Sequence, residues 1–133
     1  MLHKKYSLQV GDSFTLRDQE GNHLNLIIAE LSPGDDGAVL LVYLSTAEKN
    51  RDTTTLTYPG DHDFVERISW VRYQNIKTCQ RAAISGKITK HYGKVKEELL
   101  KRIQDGINKS EFVYCRDRDT FNSYRNDHLF DQL

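Results

Sequence analysis

Two histidines stand in polar turns, where an imidazole could exchange protons near neutral pH. His62 lies between Asp61 and Asp63, directly after a Pro-Gly turn signal, and His23 follows a polar hairpin turn. Acid–base catalysis needs one group that takes up a proton and one that donates it, and the unperturbed pKa of imidazole suits both roles. We therefore predict a catalytic pair of His23 and His62, with Asp61 or Asp63 fixing the tautomer of His62.

Catalysis on a substrate that contains phosphate would also need groups that neutralise the phosphate and hold the substrate. Arg72 and Lys87 are the cations that we expect to stabilise phosphate charge, and Thr46 could donate a hydrogen bond to a non-bridging oxygen. Tyr58 and Tyr73 flank the His62 turn and could stack bases. These residues complete a predicted site that requires no metal and no cofactor.

Each of these residues also has an ordinary structural interpretation. His62 could cap a turn, with Asp61 and Asp63 accepting hydrogen bonds from nearby backbone amides. His23 could be a surface residue at a hairpin end, and the tyrosines could be simple strand formers. Both interpretations remain open at the level of sequence.

Metal and thiol chemistry are not predicted. His62 has carboxylates beside it, but no second His or Cys stands at a spacing that would complete a metal site. Cys79 and Cys115 are far apart and are expected to be reduced packing residues.

The pattern of the chain predicts an α+β fold, mainly β with helices at the C-terminal end. Alternating and apolar runs predict strands at residues 13–17, 24–31, 38–44, 53–58, 65–73 and 87–91. The run 38–44 is apolar on both faces and should be the central strand. Short strands at close spacing favour a small antiparallel barrel. We expect one domain over residues 1–133, with the barrel at about 6–92.

The helical part is predicted at residues 94–133. The periodic segment 94–108 places Val95, Leu99, Ile103 and Ile107 on one face of a helix. A terminal helix at 119–133 would begin after Asp119 as N-cap. Residues 75–85 are ambiguous between a strand end and a short helix.

Composition and charge distribution fit a protein that works in water. Charged residues make up 29% of the chain and the net charge is zero, but residues 61–102 carry ten Lys/Arg against five Asp/Glu. A basic segment can attract phosphates, although it can equally be a solvated helix face. No run approaches the ~18 apolar residues of a membrane span, and no secretory signal is recognised, so a cytoplasmic location is expected.

The segments HLNLIIAEL, AVLLVYLST and TTTLTYPGDHDF, followed by SWVRY, resemble small PemK/MazF-like barrel proteins over about residues 20–110. The resemblance implies an SH3-like barrel that forms a homodimer and cuts single-stranded RNA without metal. The family uses an early-loop Arg and a Thr or Ser after a central strand. Ser45 and Thr46 match the second element, and His23 stands where the early loop lacks an Arg.

Two functions follow from this resemblance. The first is a metal-independent endoribonuclease of toxin or defence type, with single-stranded RNA as substrate and Ser45 among the substrate-binding residues. The second is a non-catalytic interaction module of the same fold in a toxin–antitoxin or defence operon. Such a module would bind a cognate antitoxin or another protein through the barrel edge or the C-terminal helix.

Overall fold

Within the residues that the structure describes, seven short strands form a mainly antiparallel sheet, and three helices accompany it. The computed structural model describes residues 6–46 and 52–128. The strands are β1 (Asp12–Leu16), β2 (Asn25–Glu30), β3 (Ala38–Ser45), β4 (Leu56–Thr57), β5 (Ser69–Val71), β6 (Lys77–Gln80) and β7 (Ile88–Lys94). The helices are α1 (Arg81–Ser85), α2 (Glu97–Gly106) and α3 (Cys115–Asp127), and a 3-10 turn covers Tyr73–Asn75. The α+β class predicted from sequence is therefore confirmed.

Strand β3 lies at the centre of the sheet, as predicted. It pairs with β2 along one edge and with both β5 and β6 along the other. Val39, Leu40, Leu41 and Val42 are all buried, because successive side chains point to opposite faces and both faces carry a core. A continuous apolar run is the pattern that such a doubly covered strand requires.

The two faces of the sheet pack against different partners. One core contains Leu26 and Val42 and is covered by α2 and α3, through residues such as Leu99 and Phe121. The other core contains Phe14, Ile27, Leu41, Leu8 and Ile84, so the N-terminal segment and α1 cover it. We call these the helix-covered face and the α1 face.

A buried arginine fastens α1 to the α1 face. Arg81 Nε donates to the Leu8 carbonyl (3.0 Å), and its Nη2 forms an ion pair with Glu30 (2.8 Å). Nη1 donates to the carbonyls of Ser32 and Gly34. One guanidinium thus joins the N-terminal segment, β2 and the loop before β3, which fixes the position of α1.

Helix α2 has the predicted buried side at Leu99 and Ile103, and Ile107, directly after its last residue, is buried too; Val95 lies before the helix, so its place on the helix face is corrected. The helix begins at Glu97 rather than Lys94, because Lys94 is still part of β7 and pairs with Asp12. The ambiguous segment 75–85 is both strand and helix, since β6 passes directly into α1.

The terminal helix starts earlier than predicted. Helix α3 begins at Cys115, after Tyr114 in an extended conformation, so the assignment of Asp119 as N-cap is wrong. Phe121 is fully buried and determines which side of the helix faces the core. Cys115 is exposed, which corrects its prediction as a packing residue, whereas Cys79 is half-buried; both are free. Residues 129–133 lie outside the described part of the chain.

The strand order is β4-β5-β3-β2-β1-β7, with β6 pairing with β3 outside this path. Within the described residues no pairing joins β4 to β7, so the sheet is open and a closed barrel is not confirmed. The strands predicted at 53–58 and 65–73 are reduced to two and three paired residues. None of the described helices is long and apolar enough to cross a membrane.

Candidate functional site: two histidines on opposite faces of the sheet

Two hydrogen bonds and an ion pair stabilise the turn that carries His62. The amide of Asp61 donates to the Tyr58 carbonyl (2.9 Å), and the amide of Tyr58 donates to Asp61 Oδ2 (2.8 Å). Arg102 from α2 forms an ion pair with the same carboxylate (2.9 Å). Burial by itself would raise the pKa of Asp61, but the Tyr58 amide and the Arg102 guanidinium outweigh it and lower that pKa. Asp61 is thus a structural residue of the turn.

Both nitrogens of His62 are engaged inside the protein. Nδ1 accepts the amide of Phe64 (3.0 Å), so the proton of the neutral ring lies on Nε2, which donates to Ser13 Oγ (3.0 Å). Ser13 Oγ in turn donates to the Gly93 carbonyl (2.9 Å). These partners assign the tautomer and leave neither nitrogen available to a substrate.

Burial lowers the pKa of His62, and the Asp63 carboxylate opposes this shift only in part. Asp63 itself is exposed. The prediction that Asp61 or Asp63 orients the imidazole is wrong, because the Phe64 amide and Ser13 do so. The edge of the ring also contacts Tyr92, with 5.3 Å between ring centres. His62 is a satisfied structural histidine, and its assignment as a catalytic residue is not supported by this geometry.

His23 has a different arrangement. Its Nδ1 donates to the Leu44 carbonyl (2.9 Å), so Nε2 of the neutral ring carries a free lone pair. The ring lies beside Tyr43, with 4.6 Å between ring centres. Gly21, at φ 78°, lies beside this nitrogen, and a Cβ there would be 2.8 Å from Nε2, so a larger residue would crowd the ring.

The two imidazoles lie on opposite faces of the sheet. Ser13, the partner of His62, pairs with Leu26 of the helix-covered face, and paired residues share a face. Tyr43, the partner of His23, alternates with Val42 and pairs with Asn25, which places it on the α1 face. The predicted base–acid pair of His23 and His62 therefore does not form.

His23 belongs instead to a basic surface on the α1 face. Arg72 reaches Tyr43 from the β5 side, with its Cζ 5.9 Å from the ring centre, while His23 reaches it from the β2 side. We call the set His23, Tyr43, Arg72, Arg17, Lys77 and Lys87 the basic face. Arg17, Lys77 and Lys87 are exposed, and Arg17 forms an ion pair with Asp18, with 3.5 Å between Nε and Oδ2.

A pocket of about 220 Å³ opens beside Tyr43 on the same face. We call it the β3 pocket. Leu16, Leu41 and Ile84 form its apolar walls, and the charged residues Arg17, Asp18, Lys77 and Lys87 also line it. Burial raises the pKa of Cys79 in this pocket, and the charges of Lys77 and Lys87 offset that only in part. The predicted Arg72 and Lys87 are thus brought to one surface with His23.

The other predicted residues are dispersed. Tyr73 is fully buried, and its hydroxyl bonds to Thr55 Oγ1 and to the Ile103 carbonyl (both 2.7 Å), so it cannot stack a base. Ser45 is buried as well, which removes it from the substrate-binding set. Thr46 is exposed and accepts a hydrogen bond from Arg67 (3.3 Å). Tyr58 is exposed beside the His62 turn.

Thr46 lines a separate open cleft of about 750 Å³. Arg67 and Lys90 line that cleft together with Asp63 and Glu66, so its charges nearly balance. Among residues 6–46 and 52–128, no group of three His, Cys, Asp or Glu side chains is placed to hold a metal ion.

Tyr43, Arg17 and Lys77 were not predicted as site residues. Tyr43 lies inside the apolar run of β3, where it was interpreted only as part of a buried strand. Its alternation with Leu41 could have shown that it shares the α1 face. Lys77 lies in the ambiguous segment 75–85, so its face could not be assigned from periodicity.

A scan against protein-family models and a search of curated proteins found no match for this chain.

Proposed function

We propose that this protein binds single-stranded RNA through the basic face. The observation that carries this function is the row formed by His23, Tyr43 and Arg72, with two further exposed cations at Lys77 and Lys87 beside it. Flat side chains that alternate with cations are the combination that sequence-tolerant single-strand binding uses.

The physical argument separates RNA from other anions. Lys77, Lys87 and Arg72 can neutralise phosphates, and each neutralised phosphate releases counterions. The ring of Tyr43 lies between His23 and Arg72, so the imidazole and the guanidinium plane offer the flat faces, on which an unpaired base stacks at about 1–3 kcal/mol per base. A duplex keeps its bases inside the helix, so only a single strand can use both kinds of group at once.

Affinity for a fluorescent single-stranded RNA of 12 nucleotides, measured by anisotropy at two salt concentrations, tests this function. We expect the double variant Arg72→Gln/Lys77→Gln to bind at least tenfold more weakly and to show a shallower salt dependence. The matched control is Lys101→Gln/Arg116→Gln, which removes the same charge from exposed positions on α2 and α3. The control should bind like the wild type.

Equal losses in both double variants would reduce the effect to general charge attraction. Absence of RNA binding by the wild-type protein would contradict the function and would favour the non-catalytic protein-interaction module. We also propose the PemK/MazF-like barrel plan and a homodimer, which rest on the sequence resemblance, and a cytoplasmic location, which rests on the composition of the chain.

Metal-independent RNA cleavage is a second candidate function, and the orientation of His23 favours it. The Leu44 carbonyl holds Nδ1–H, so Nε2 can accept the proton of a ribose 2′-hydroxyl. The 2′-oxygen would then attack phosphorus, and the 5′-oxygen would leave with a proton from water. The products would carry a 2′,3′-cyclic phosphate and a 5′-hydroxyl, while Arg72 would stabilise the phosphorane charge.

Incubation of RNA with the protein and a chelator tests cleavage directly. We expect products with cyclic phosphate ends from the wild type and none from His23→Ala. The matched substrate is the same RNA with 2′-O-methyl groups, which can bind but cannot supply the attacking hydroxyl. Intact RNA after long incubation with the wild type would leave RNA binding as the whole function.

A further inference from the structure

The β3 pocket has the size and lining of a site for one flat ring system. Its volume of about 220 Å³ lies below the ~300–1,000 Å³ of pockets that enclose drug-sized ligands. Its walls are apolar at Leu16, Leu41 and Ile84, and three cations line it with one carboxylate, Asp18, so the charge of the lining is net positive. A ring that enters such a pocket buries its apolar faces and leaves an attached phosphate among cations.

One amide in the pocket can read the edge of such a ring. Gln19 and Asn25 exchange two hydrogen bonds, from Gln19 Nε2 to Asn25 Oδ1 (3.2 Å) and from Asn25 Nδ2 to Gln19 Oε1 (3.0 Å). Asn25 is almost completely buried and also donates to the His23 carbonyl (3.2 Å), so it holds the Gln19 amide in place. Gln19 keeps one N–H and one lone pair for a ligand.

The pocket is continuous with the basic face, because Tyr43 belongs to both. We propose that the β3 pocket binds one unpaired nucleobase of a single-stranded RNA, with Gln19 contacting the base edge and Lys77 and Lys87 contacting its phosphates. This subsite rests on the proposed RNA-binding function. A neighbouring base would lie on the row formed by His23, Tyr43 and Arg72, so the bound strand spans at least two nucleotides.

The two cysteines provide a direct measurement of occupancy. Cys79 lines the pocket, whereas Cys115 is exposed at the start of α3 and serves as an internal control. Alkylation of both thiols is followed by mass spectrometry, with and without a saturating 12-nucleotide RNA or each ribonucleoside 5′-monophosphate at millimolar concentration. We expect the RNA and at least one mononucleotide to slow alkylation of Cys79 at least threefold, with the rate at Cys115 unchanged.

A pair of alanines on α1 supplies matched variants. Ala83 lines the pocket and is exposed, and Ala82 is its exposed neighbour outside the lining. Ala83→Phe should fill the pocket, abolish the protection of Cys79 and weaken RNA binding at least fivefold. Ala82→Phe should change neither.

The outcomes distinguish the subsite from the function on which it rests. RNA that binds the wild type without protecting Cys79, and binds Ala83→Phe equally well, would overturn the subsite and leave the basic face intact. RNA that does not bind the wild type at all would overturn both. Equal losses in Ala83→Phe and Ala82→Phe would also overturn the subsite, since they would show a general effect of bulk on α1.

Discussion

His23 and His62 stand in similar sequence surroundings, yet the fold uses them differently. His62 has both ring nitrogens occupied, by the Phe64 amide and by Ser13, on the helix-covered face. His23 has one nitrogen bonded to the Leu44 carbonyl, and within the described residues the other has no hydrogen-bond partner; its ring lies on the α1 face beside Tyr43. An imidazole between two carboxylates looked like the stronger catalytic candidate, but hydrogen-bond satisfaction makes it structural.

The largest expected effect concerns the stability role of His62. His62→Ala leaves the Phe64 amide without its acceptor and removes one of the two hydrogen bonds of Ser13 Oγ, and an unsatisfied buried group costs about 1–3 kcal/mol. We expect the free energy of unfolding in urea to fall by about 2 kcal/mol while RNA affinity at a temperature where the variant is folded stays unchanged.

His128→Ala is the control for this change, because His128 is exposed at the end of α3. It should leave the free energy of unfolding within about 0.5 kcal/mol of the wild type. Loss of RNA binding in His62→Ala with full stability retained would reverse the assignment of the two histidines.

The next effect concerns the stacking role of Tyr43. Tyr43→Ala removes the ring that joins His23 to Arg72, and the loss of one stacked base is about 1–3 kcal/mol, or about 5- to 150-fold in affinity. Anisotropy with the 12-nucleotide RNA measures this loss. Tyr114→Ala is the matched control, because Tyr114 is 56% exposed and lies directly before α3, outside the basic face. Equal affinity of both variants would show that the basic face does not stack bases.

A smaller effect is expected in the pH dependence of stability. Burial holds the pKa of His62 in the folded protein below the ordinary value of 6.5, so the unfolded chain takes up the proton first as the pH falls. The contribution of His62 to the free energy of unfolding is therefore complete above about pH 6.5 and is lost progressively as the pH falls below that value. Urea unfolding between pH 5 and 8 should show this decline, and His62→Gln should flatten it.

The smallest effect is expected at Asp63. The carboxylate is exposed, so Asp63→Asn should change the free energy of unfolding at pH 7 by less than about 0.5 kcal/mol. Because Asp63 acts to raise the pKa of His62, its removal should lower that pKa further, as an NMR titration of the ring would show. A large loss of stability or of RNA binding would mean that Asp63 has a role beyond its charge.

Much of the architecture could be predicted from sequence, because hydrophobic periodicity reports burial directly. The apolar run at residues 38–44 predicted strand β3, and the spacing of Leu99, Ile103 and Ile107 predicted helix α2. The start of α3 could not be predicted, since Tyr114 is in an extended conformation and no side chain caps the helix. The site was predicted only in part: His23, Arg72 and Lys87 share a surface, whereas Tyr73 and Ser45 are buried.

The sequence by itself determined which segments alternate between apolar and polar residues and which strand is buried on both faces. It also determined which polar turns carry the histidines, because all of these are local properties of residue order. Only the tertiary structure decided which face each histidine joins. That choice depends on strand register, on Ser13 opposite Leu26 and on Tyr43 opposite Asn25, and a shift of one residue would exchange the two faces. Chemistry at these imidazoles therefore depends on pairings between distant segments of the chain.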